Sequence, residues 1–314
     1  MTFLESIQHF QQQFLEGVTI GLSAALHQKK YGSIWLVGMG GSAVAADLIN
    51  DYWEGSRSIS IIRDYALSPL MSAEDLVFFS SYSGNTEETL AAFEAGIKRK
   101  VNAVVLSHGG LLLKRAREES VPVIEIPESI QPRCAVGYFF GAMLAVLSEV
   151  SELSDLEAFL LQRQAKHQKD GQEMAKEVKG HVPIIYGPSN FYGTCRFWKI
   201  KFNENSKVPS FFNVLPEANH NEMVGWTQNL MKPYFIFLRS KFSHPMIGRR
   251  MDVMREIFQD KYPILDLHLA GENRLQEMFD SLAVADYASY YLALEYGVDP
   301  EKVDMVENFK KKLG

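Results

Sequence analysis

Two short segments rich in glycine and hydroxyl side chains are the parts of the sequence best suited to bind an anion. The first, Gly38-Met39-Gly40-Gly41-Ser42, follows an apolar run and opens a segment typical of a helix. Glycines let a backbone approach a ligand closely, and a helix N-terminus presents N–H groups to negative charge. The second, Ser81-Tyr82-Ser83-Gly84-Asn85-Thr86, places three hydroxyls around a glycine turn. Hydroxyls and open N–H groups together form a cradle for a phosphate dianion.

The first segment alone leaves other interpretations open. Gly38, Gly40 and Ala43 also satisfy the dinucleotide-binding pattern G-x-G-x-x-A. Asp64 follows at the distance, about twenty residues, where a ribose-binding acid would lie. A tight turn between a strand and a helix, without any ligand, would use the same glycines.

The second segment decides between these interpretations, because a dinucleotide enzyme has no reason to repeat an anion cradle there. Ser83 or Asn85, with Glu88 behind it, would also serve as a helix N-cap. A cap alone does not account for three hydroxyls in six residues. The predicted phosphate ligands are Gly41, Ser42, Ser81, Ser83 and Thr86.

Short apolar runs alternate with longer amphipathic segments in the first half of the chain. Residues 1–30 predict a helical lead-in, with an apolar stripe formed by Phe3, Ile7, Phe10, Phe14, Val18 and Ile20. Buried strands are predicted over 34–37, 59–62, 76–80, 103–106 and 123–126, and helices over 42–52, 86–98, 111–119 and 137–149. Strands that alternate with helices favour a parallel sheet covered on both faces.

A similar alternation follows in the second half. Strands are predicted over 182–186, 234–238 and 264–267, with an exit turn at 187–190. Helices are predicted over 191–205, 275–296 and 300–313, the last with Pro300 in its first turn. The polar residues 151–157 mark the predicted boundary. We therefore expect an α/β protein of two similar subdomains, 1–150 and 151–314, each a parallel sheet flanked by helices.

Composition and missing motifs exclude several classes of protein. Of 314 residues, 46% are hydrophobic and 22% are charged, which is ordinary for a globular protein. The net charge of −6 argues against nucleic acid as the main partner. Cys134 and Cys195 are too few for a disulfide scaffold and fit a reducing cytoplasm. We also expect no membrane span and, without H-E-x-x-H or C-x-x-C, no metal site.

The combination of motifs resembles a known family. Gly40-Gly41-Ser42 together with the segment 81–86 is similar to the sugar isomerase (SIS) fold. Gln131-Pro132-Arg133, Asn203-Glu204-Asn205 and Asn219-His220-Asn221-Glu222 resemble one branch of it, the bifunctional phosphoglucose/phosphomannose isomerases. The resemblance covers nearly the whole chain. It implies two SIS-type subdomains and an aldose–ketose isomerisation of a hexose 6-phosphate through a cis-enediolate.

The resemblance also implies roles for four side chains. Glu204 would move a proton between C1 and C2, since a partly desolvated carboxylate can be tuned toward neutral pH. Arg133, next to Pro132, would stabilise the enediolate charge. His220 and Lys310 would open the sugar ring. Each has a structural alternative: a surface helix glutamate, an ion pair, or, for the run that begins at Lys310, compensation of a helix dipole.

In this family the histidine serves the partner subunit's site, which implies a homodimer with shared sites. We interpret His108 and His244, the next candidates, as structural. We expect no cofactor, because an intramolecular proton transfer leaves no redox balance to settle.

One departure from the family concerns mannose 6-phosphate. A C-terminal threonine near the ring-opening lysine is linked in this family to acceptance of that sugar. This chain has no threonine after Thr227, and Val303 lies about where we would look for it. The resemblance therefore implies glucose 6-phosphate as a product and leaves mannose 6-phosphate open.

Three other functions compete with this interpretation. A non-catalytic SIS module that senses a sugar phosphate would keep the hydroxyls but would not need Glu204 and His220 together. An isomerase for a different sugar phosphate would use the same scaffold, because the choice of epimer depends on pocket shape. A nicotinamide-dependent dehydrogenase would use Gly38 to Ala43 with Asp64, and tight NAD binding would favour it.

Overall fold

The computed structural model describes residues 1–24, 31–129, 131–228 and 230–313. The chain forms two compact units: unit 1 comprises Met1 and residues 8–161, and unit 2 comprises residues 2–7 and 162–314. Unit 2 thus includes the first helical residues of the chain and begins later than the polar segment 151–157. The division into domains 1–150 and 151–314 stays a prediction.

Unit 1 is built around a five-stranded parallel sheet. Its strands are β1 (Ile34–Gly38), β2 (Ile59–Ile62), β3 (Leu76–Ser80), β4 (Asn102–Ser107) and β5 (Val123–Glu125), in the order β2-β1-β3-β4-β5. Helices α1 (Phe3–Gln8) and α2 (Gln13–Ser23) precede the sheet in the chain. Helices α3 (Gly40–Trp53), α4 (Glu87–Arg99), α5 (Gly110–Glu118) and α6 (Val136–Val146) follow β1, β3, β4 and β5.

Apolar side chains explain why this sheet is parallel and covered. Strands β1 and β3 are buried along their whole length, as strands between two layers of helices must be. Val37, Val77 and Phe79 share a buried cluster with Phe93 of α4 and Leu112 of α5. The five predicted strands of this half and the parallel α/β class are confirmed.

The predicted helical lead-in consists of two helices. Turns at residues 9–12 separate α1 from α2, and predicted residues 25–30 lie outside the described residues. Phe10 and Phe14 are buried as expected. Helix α2 also packs on α6 through Gly17, where a Cβ would lie 2.6 Å from the carbonyl oxygen of Tyr138. The apolar stripe in the sequence does not reveal this contact, because the close approach of the two helices requires a glycine at position 17.

Unit 2 contains a second parallel sheet. Its strands are β6 (Val182–Pro188), β7 (Phe211–Leu215), β8 (Pro233–Arg239) and β9 (Ile264–His268), in the order β7-β6-β8-β9. Helix α7 (Leu153–Val178) begins in unit 1 and continues into unit 2. The other helices are α8 (Tyr192–Asn205), α9 (Glu222–Gly225), α10 (Pro245–Phe258), α11 (Arg274–Glu295) and α12 (Asp304–Leu313). Met251, Met254 and Phe258 of α10 pack with Phe235 and Phe237 of β8 into a buried cluster.

Several elements of unit 2 differ from the prediction. Strand β6 continues to Pro188, so the predicted exit turn at 187–190 begins too early. Helix α12 starts at Asp304, and Pro300 lies before it. The Asp299 carboxylate accepts a hydrogen bond from Glu301 N at 2.9 Å, and this local turn replaces the predicted helix start. Strand β7 and helices α7 and α10 were not predicted.

Candidate active site

The two glycine- and hydroxyl-rich segments leave the sheet of unit 1 at neighbouring strands. In the order β2-β1-β3-β4-β5, β1 and β3 are adjacent, and their last residues, Gly38 and Ser80, are register partners. The chain leaves β1 toward one side of the sheet and β3 toward the other, which opens a crevice beyond their carboxyl ends. Ligands of doubly wound sheets bind at this kind of switch point. The loops 39–42 and 81–86 both begin there.

Gly40 and Gly41 shape the first loop. Gly40 has a φ of +50°, a left-handed conformation that favours glycine. A Cβ on Gly41 would lie 3.1 Å from Arg133 N and 3.2 Å from Pro132 C. The sequence analysis expected the glycines to leave space for a ligand. At Gly41 this space is filled by the backbone of Pro132 and Arg133. This contact places the segment of Arg133 against the start of α3.

Ser42 ties the first loop to the second. Its Oγ accepts a hydrogen bond from Tyr82 N at 3.0 Å, and its carbonyl oxygen accepts one from Ser80 Oγ at 2.8 Å. Ser42 is buried. Because a hydroxyl is one donor and two acceptors, the Ser42 O–H can still donate to an anion.

Ser81 and Thr86 form the polar centre of the second loop. Ser81 Oγ and Thr86 Oγ1 lie 2.8 Å apart, and Gly84 N donates to Ser81 Oγ at 3.1 Å. Thr86 is the N-cap residue of α4 and makes no side-chain capping hydrogen bond. Its hydroxyl thus contacts Ser81 at the start of a helix, where the N–H groups favour negative charge.

Ser83 and Asn85 do not cap α4, so the capping interpretation is wrong for this helix. Ser83 is exposed, and its Oγ accepts a hydrogen bond from Asn85 N at 3.3 Å. Asn85 Oδ1 accepts one from Leu111 N at 3.0 Å and thereby holds the first turn of α5. The loop after β3 is in this way connected to the loop after β4.

Arg133 is buried, with 1% of its surface exposed. It belongs to a 3-10 helix, Pro132–Cys134, that leads into α6. Gln13 of α2 holds this turn: its Nε2 donates to Cys134 O at 2.7 Å, and its Oε1 accepts from Gly137 N at 3.2 Å. A guanidinium in this environment keeps its charge and must be compensated. Arg133 is thus a fixed positive charge on the segment that packs against Gly41.

The sequence analysis did not single out Tyr82 and interpreted His108 as structural; the structure places the two side chains in contact beside the second loop. The hydroxyl of Tyr82 donates to Ser129 O at 2.8 Å and accepts from Ser129 N at 2.5 Å. The ring of His108 stacks on that of Tyr82, with centroids 5.3 Å apart and 12° between the planes. Burial raises the pKa of Tyr82. The position of Tyr82 between two motif serines was the only available signal.

Glu204, the predicted base, is half-buried in the last turn of α8. Lys207 closes this helix end, because its Nζ donates to Glu204 O at 2.5 Å and to Pro300 O at 3.3 Å. The backbone that carries Glu204 is therefore held by a side chain that satisfies the terminal carbonyls.

Helix α8 is also fixed to α11 by buried polar pairs. Lys201 and Asp286 form an ion pair in which both side chains are almost fully buried. Asn205 Nδ2 donates to Ser289 Oγ at 2.9 Å. These contacts flank Glu204 along the helix and set its position, since buried polar groups tolerate only arrangements that satisfy them.

His220 is exposed on a loop that is itself held by buried contacts. Glu222, two residues later, accepts hydrogen bonds from Tyr186 Oη at 2.6 Å and from Asn213 Nδ2. Trp226 Nε1 donates to Tyr186 Oη at 2.8 Å. Burial and the neighbouring Glu222 carboxylate raise the pKa of Tyr186 well above its usual value. His220 is thus an exposed imidazole on a loop whose position is fixed by these hydrogen bonds.

Lys310 lies on α12, whose described side chains are all exposed. Met305, Phe309 and Leu313 follow one another at helical spacing and leave an apolar stripe in solvent. Lys310 is in the last turn with Lys311 and Lys312, where positive charges also compensate the helix dipole. The position of Lys310 is therefore compatible both with the predicted role in ring opening and with compensation of the helix dipole.

Asp64 and His244, which the sequence analysis considered for other roles, make hydrogen bonds to nearby backbone N–H groups. Asp64, the candidate ribose acid, accepts a hydrogen bond from Tyr65 N at 2.6 Å, and His244 Nδ1 caps α10 by accepting from Met246 N at 3.2 Å. Among the described residues, no three His, Cys, Asp or Glu side chains are grouped to hold a metal ion. No helix within the described ranges has both the length and the apolar character needed to cross a membrane.

Known proteins are similar to this chain along most of its length. A bifunctional phosphoglucose/phosphomannose isomerase from Aquifex aeolicus is 33% identical over 292 residues, which cover 90% of this chain and 91% of that protein. One from Caldicellulosiruptor bescii is 31% identical and covers 98% of both chains. The family model of the bacterial phospho-glucose isomerase C-terminal SIS domain matches residues 167–313.

A solved structure shares the fold. The tagatose-6-phosphate ketose/aldose isomerase from Escherichia coli superposes with a TM-score of 0.75 at 16% identity, over 95% of this chain and 94% of that one. At this identity the likeness concerns the fold. The predicted SIS architecture is confirmed, whereas the roles of the individual site residues stay predictions.

Proposed function

Because the chain belongs to the bifunctional phosphoglucose/phosphomannose isomerase family, we propose that it interconverts fructose 6-phosphate and glucose 6-phosphate. The hydroxyl cluster at the carboxyl ends of β1 and β3 is the observation that carries this proposal within the molecule. It offers a site for a phosphate dianion at the switch point of the sheet. The proposed phosphate ligands are Gly41, Ser42, Ser81, Ser83 and Thr86.

The proposed chemistry is a proton transfer between neighbouring carbons. Glu204 removes a proton from C1 of open-chain fructose 6-phosphate and leaves a cis-enediolate. It returns a proton to C2, while a proton passes from O1 to O2 and the carbonyl moves to C1. The positive charge of Arg133 stabilises the enediolate. The reaction requires no redox cofactor, because the substrate is oxidised at one carbon and reduced at the next.

Ring opening requires groups that move a proton between the ring oxygen and the anomeric hydroxyl, which is O2 in fructose 6-phosphate and O1 in glucose 6-phosphate. We assign this step to His220, because one imidazole nitrogen can donate a proton while the other accepts one, and to Lys310. The exposure of His220 supports a homodimer in which this side chain completes the site of the other subunit. The exposed apolar stripe of α12 supports the same proposal, since such stripes mark contact surfaces.

Acceptance of mannose 6-phosphate is the open part of the substrate range. The epimer formed depends on which face of C2 receives the proton. Val303 lies just before α12 and accepts hydrogen bonds from Val306 N and Glu307 N. We propose mannose 6-phosphate as a second substrate, on the strength of the activity that the relatives' names give to them.

The test is incubation of the purified protein with fructose 6-phosphate, without added metal or nucleotide. Glucose 6-phosphate and mannose 6-phosphate are measured separately. Wild-type protein and Glu173→Gln, a change on the exposed side of α7, should form glucose 6-phosphate. Glu204→Gln should lose at least about a hundredfold in kcat, because the base is removed but the side-chain volume is kept.

Either negative result has a definite meaning. Binding of fructose 6-phosphate without turnover would favour the sensing module or another sugar phosphate. Full activity of Glu204→Gln would exclude Glu204 as the base.

A further inference from the structure

Tyr82 joins the second phosphate loop to the segment that carries Arg133. Its backbone N–H donates to Ser42 Oγ, so the residue is anchored in both phosphate loops. Its hydroxyl meets both backbone groups of Ser129, which lies four residues before Arg133. A single side chain that both donates to and accepts from one peptide segment fixes that segment in position and direction.

His108 makes the same connection from the loop after β4. Its backbone N donates to Tyr82 O at 3.0 Å, and its ring lies flat against the Tyr82 ring. Its Nδ1 is 3.0 Å from Ile126 O, so this nitrogen must carry the hydrogen and donate to the carbonyl. Tyr82 and His108 therefore hold the chain at Ile126 and at Ser129, just before the 3-10 helix of Arg133.

The other end of that segment is held separately. Gln13 bonds Cys134 O and Gly137 N, and the Pro132–Arg133 backbone packs on Gly41. The Arg133 turn is therefore tied to the second loop on one side only. A displacement of that loop would change the direction of the guanidinium, because the other side of the turn is fixed.

We infer that Tyr82 and His108 are positioning residues that transmit phosphate binding in the loop 81–86 to the placement of Arg133. This inference rests on the proposed function for the role of Arg133. Binding energy of a substrate's non-reacting phosphate is most useful when it orders a group needed in the transition state. The Tyr82–Ser129 contact is the physical connection through which the loop does so.

The first test separates turnover from binding. Tyr82→Phe keeps the ring and the backbone bond to Ser42 but removes both bonds to Ser129. We expect kcat for fructose 6-phosphate to fall about 10- to 100-fold, the cost of slight misplacement of a catalytic group, and KM to change less than about threefold. Tyr52→Phe, which removes the hydroxyl of a tyrosine at the far end of α3, is the matched control and should leave both constants unchanged.

The second test does not depend on turnover. Hydrogen exchange of backbone amides in 131–139 is measured with and without inorganic phosphate. Wild-type protein and Tyr52→Phe should exchange more slowly when phosphate is bound, whereas Tyr82→Phe and His108→Ala should bind phosphate without this protection. The melting temperature of each variant shows whether it is folded.

The outcomes distinguish this inference from the proposed function. Equal protection in Tyr82→Phe and wild type, or no protection in wild type, would overturn the inference even if the protein isomerises fructose 6-phosphate. Protection that depends on Tyr82 in a protein without isomerase activity would support the connection and reject the function. A rise in KM with unchanged kcat in Tyr82→Phe would make Tyr82 a phosphate-binding residue instead.

Discussion

Gly84 fills a position that no other residue can occupy without strain. Its φ is +67°, and a Cβ there would overlap the carbonyl oxygen of Gly109. The turn that brings Ser81 and Thr86 together therefore depends on a residue without a side chain. The sequence motif places a glycine here, but the reason lies in the loop after β4, which packs against it.

Gly84→Ala should lower the free energy of unfolding by about 2–4 kcal/mol, from strain and overlap together. Gly55→Ala is the matched control: Gly55 also has a positive φ, +80°, but a Cβ there meets nothing within 4 Å. It should cost only about 1 kcal/mol. Urea unfolding measures both, and equal losses would show that overlap with Gly109 is unimportant.

Ser81→Ala removes a buried hydroxyl from the proposed phosphate site. We expect KM for fructose 6-phosphate to rise about 10- to 100-fold, the value of one hydrogen bond to a charged group, with little change in kcat. Ser56→Ala is the control, since Ser56 Oγ donates only to Trp53 O. Steady-state kinetics would contradict the assignment if kcat fell while KM stayed constant.

Helices α7 and α11 are joined by a buried charged cluster within unit 2. Asp280 of α11 lies 2.6 Å from His167 Nε2 and accepts from Arg163 Nε at 2.5 Å. Burial by itself raises the pKa of Asp280, but the hydrogen bonds from His167 and Arg163 outweigh burial and hold the pKa below its usual value. The ionised carboxylate therefore stabilises the contact between the two helices.

The effect of Asp280→Asn should depend on pH. An aspartate with a lowered pKa in the folded state stabilises fully above its usual pKa of about 4, and the effect disappears as pH falls through the lowered value. At pH 7 the substitution should cost about 3 kcal/mol, because it leaves the partly buried guanidinium of Arg163 without its carboxylate partner. The difference from wild type should shrink below about pH 4.

Urea unfolding at pH 7, 5 and 3.5 measures this dependence. Asp170→Asn serves as the control, because the pair of Asp170 with Lys166 is more exposed and should contribute under about 1 kcal/mol. A cost that stays constant down to pH 3.5 would mean that the ionised form of Asp280 contributes nothing.

The strand order β2-β1-β3-β4 of the first sheet recurs as β7-β6-β8-β9 in the second, but the loops at the two switch points differ. Between β6 and β8, the switch point of unit 2, the protein's own side chains occupy the polar positions. Arg274 donates to Asn190 O at 3.2 Å and to Phe242 O at 2.9 Å. Glu277, whose pKa is raised by burial, accepts from Lys241 N at 3.3 Å. Ser240, in the loop after β8, donates its hydroxyl to Glu277, so we propose a single phosphate site per chain, in unit 1.

Complementation between two inactive variants tests the shared site at this scale. Glu204→Gln and His220→Ala proteins are mixed, dissociated and reassociated. If His220 serves the other subunit, the mixture should regain about one quarter of wild-type activity, since about half of the dimers are mixed and each has one intact site. Each variant reassociated alone is the control. A mixture as inactive as the controls would place Glu204 and His220 in one chain's site, or exclude a dimer.

Local sequence predicted most of the strands and helices and singled out the two glycine- and hydroxyl-rich loops. Apolar runs of strand length alternate with helical segments, and the loops after β1 and β3 were predicted as cradle components. The two loops lie at adjacent strands, as expected, because carboxyl ends of parallel strands share an edge and residues distant in the chain meet there by topology alone. Glu204 and His220 required a resemblance, since an isolated glutamate or histidine has no pattern of its own.

Tertiary structure decided which atoms meet across loops. The bonds of Tyr82 to Ser129, of Gln13 to Cys134 and of Glu222 to Tyr186 join residues 36 to 121 positions apart. Residue type and spacing do not encode such partners, because each depends on where several packed elements bring the chain. The sequence by itself thus determined the parallel α/β class and which two loops share an edge of the first sheet, and only packing decided how those loops are held.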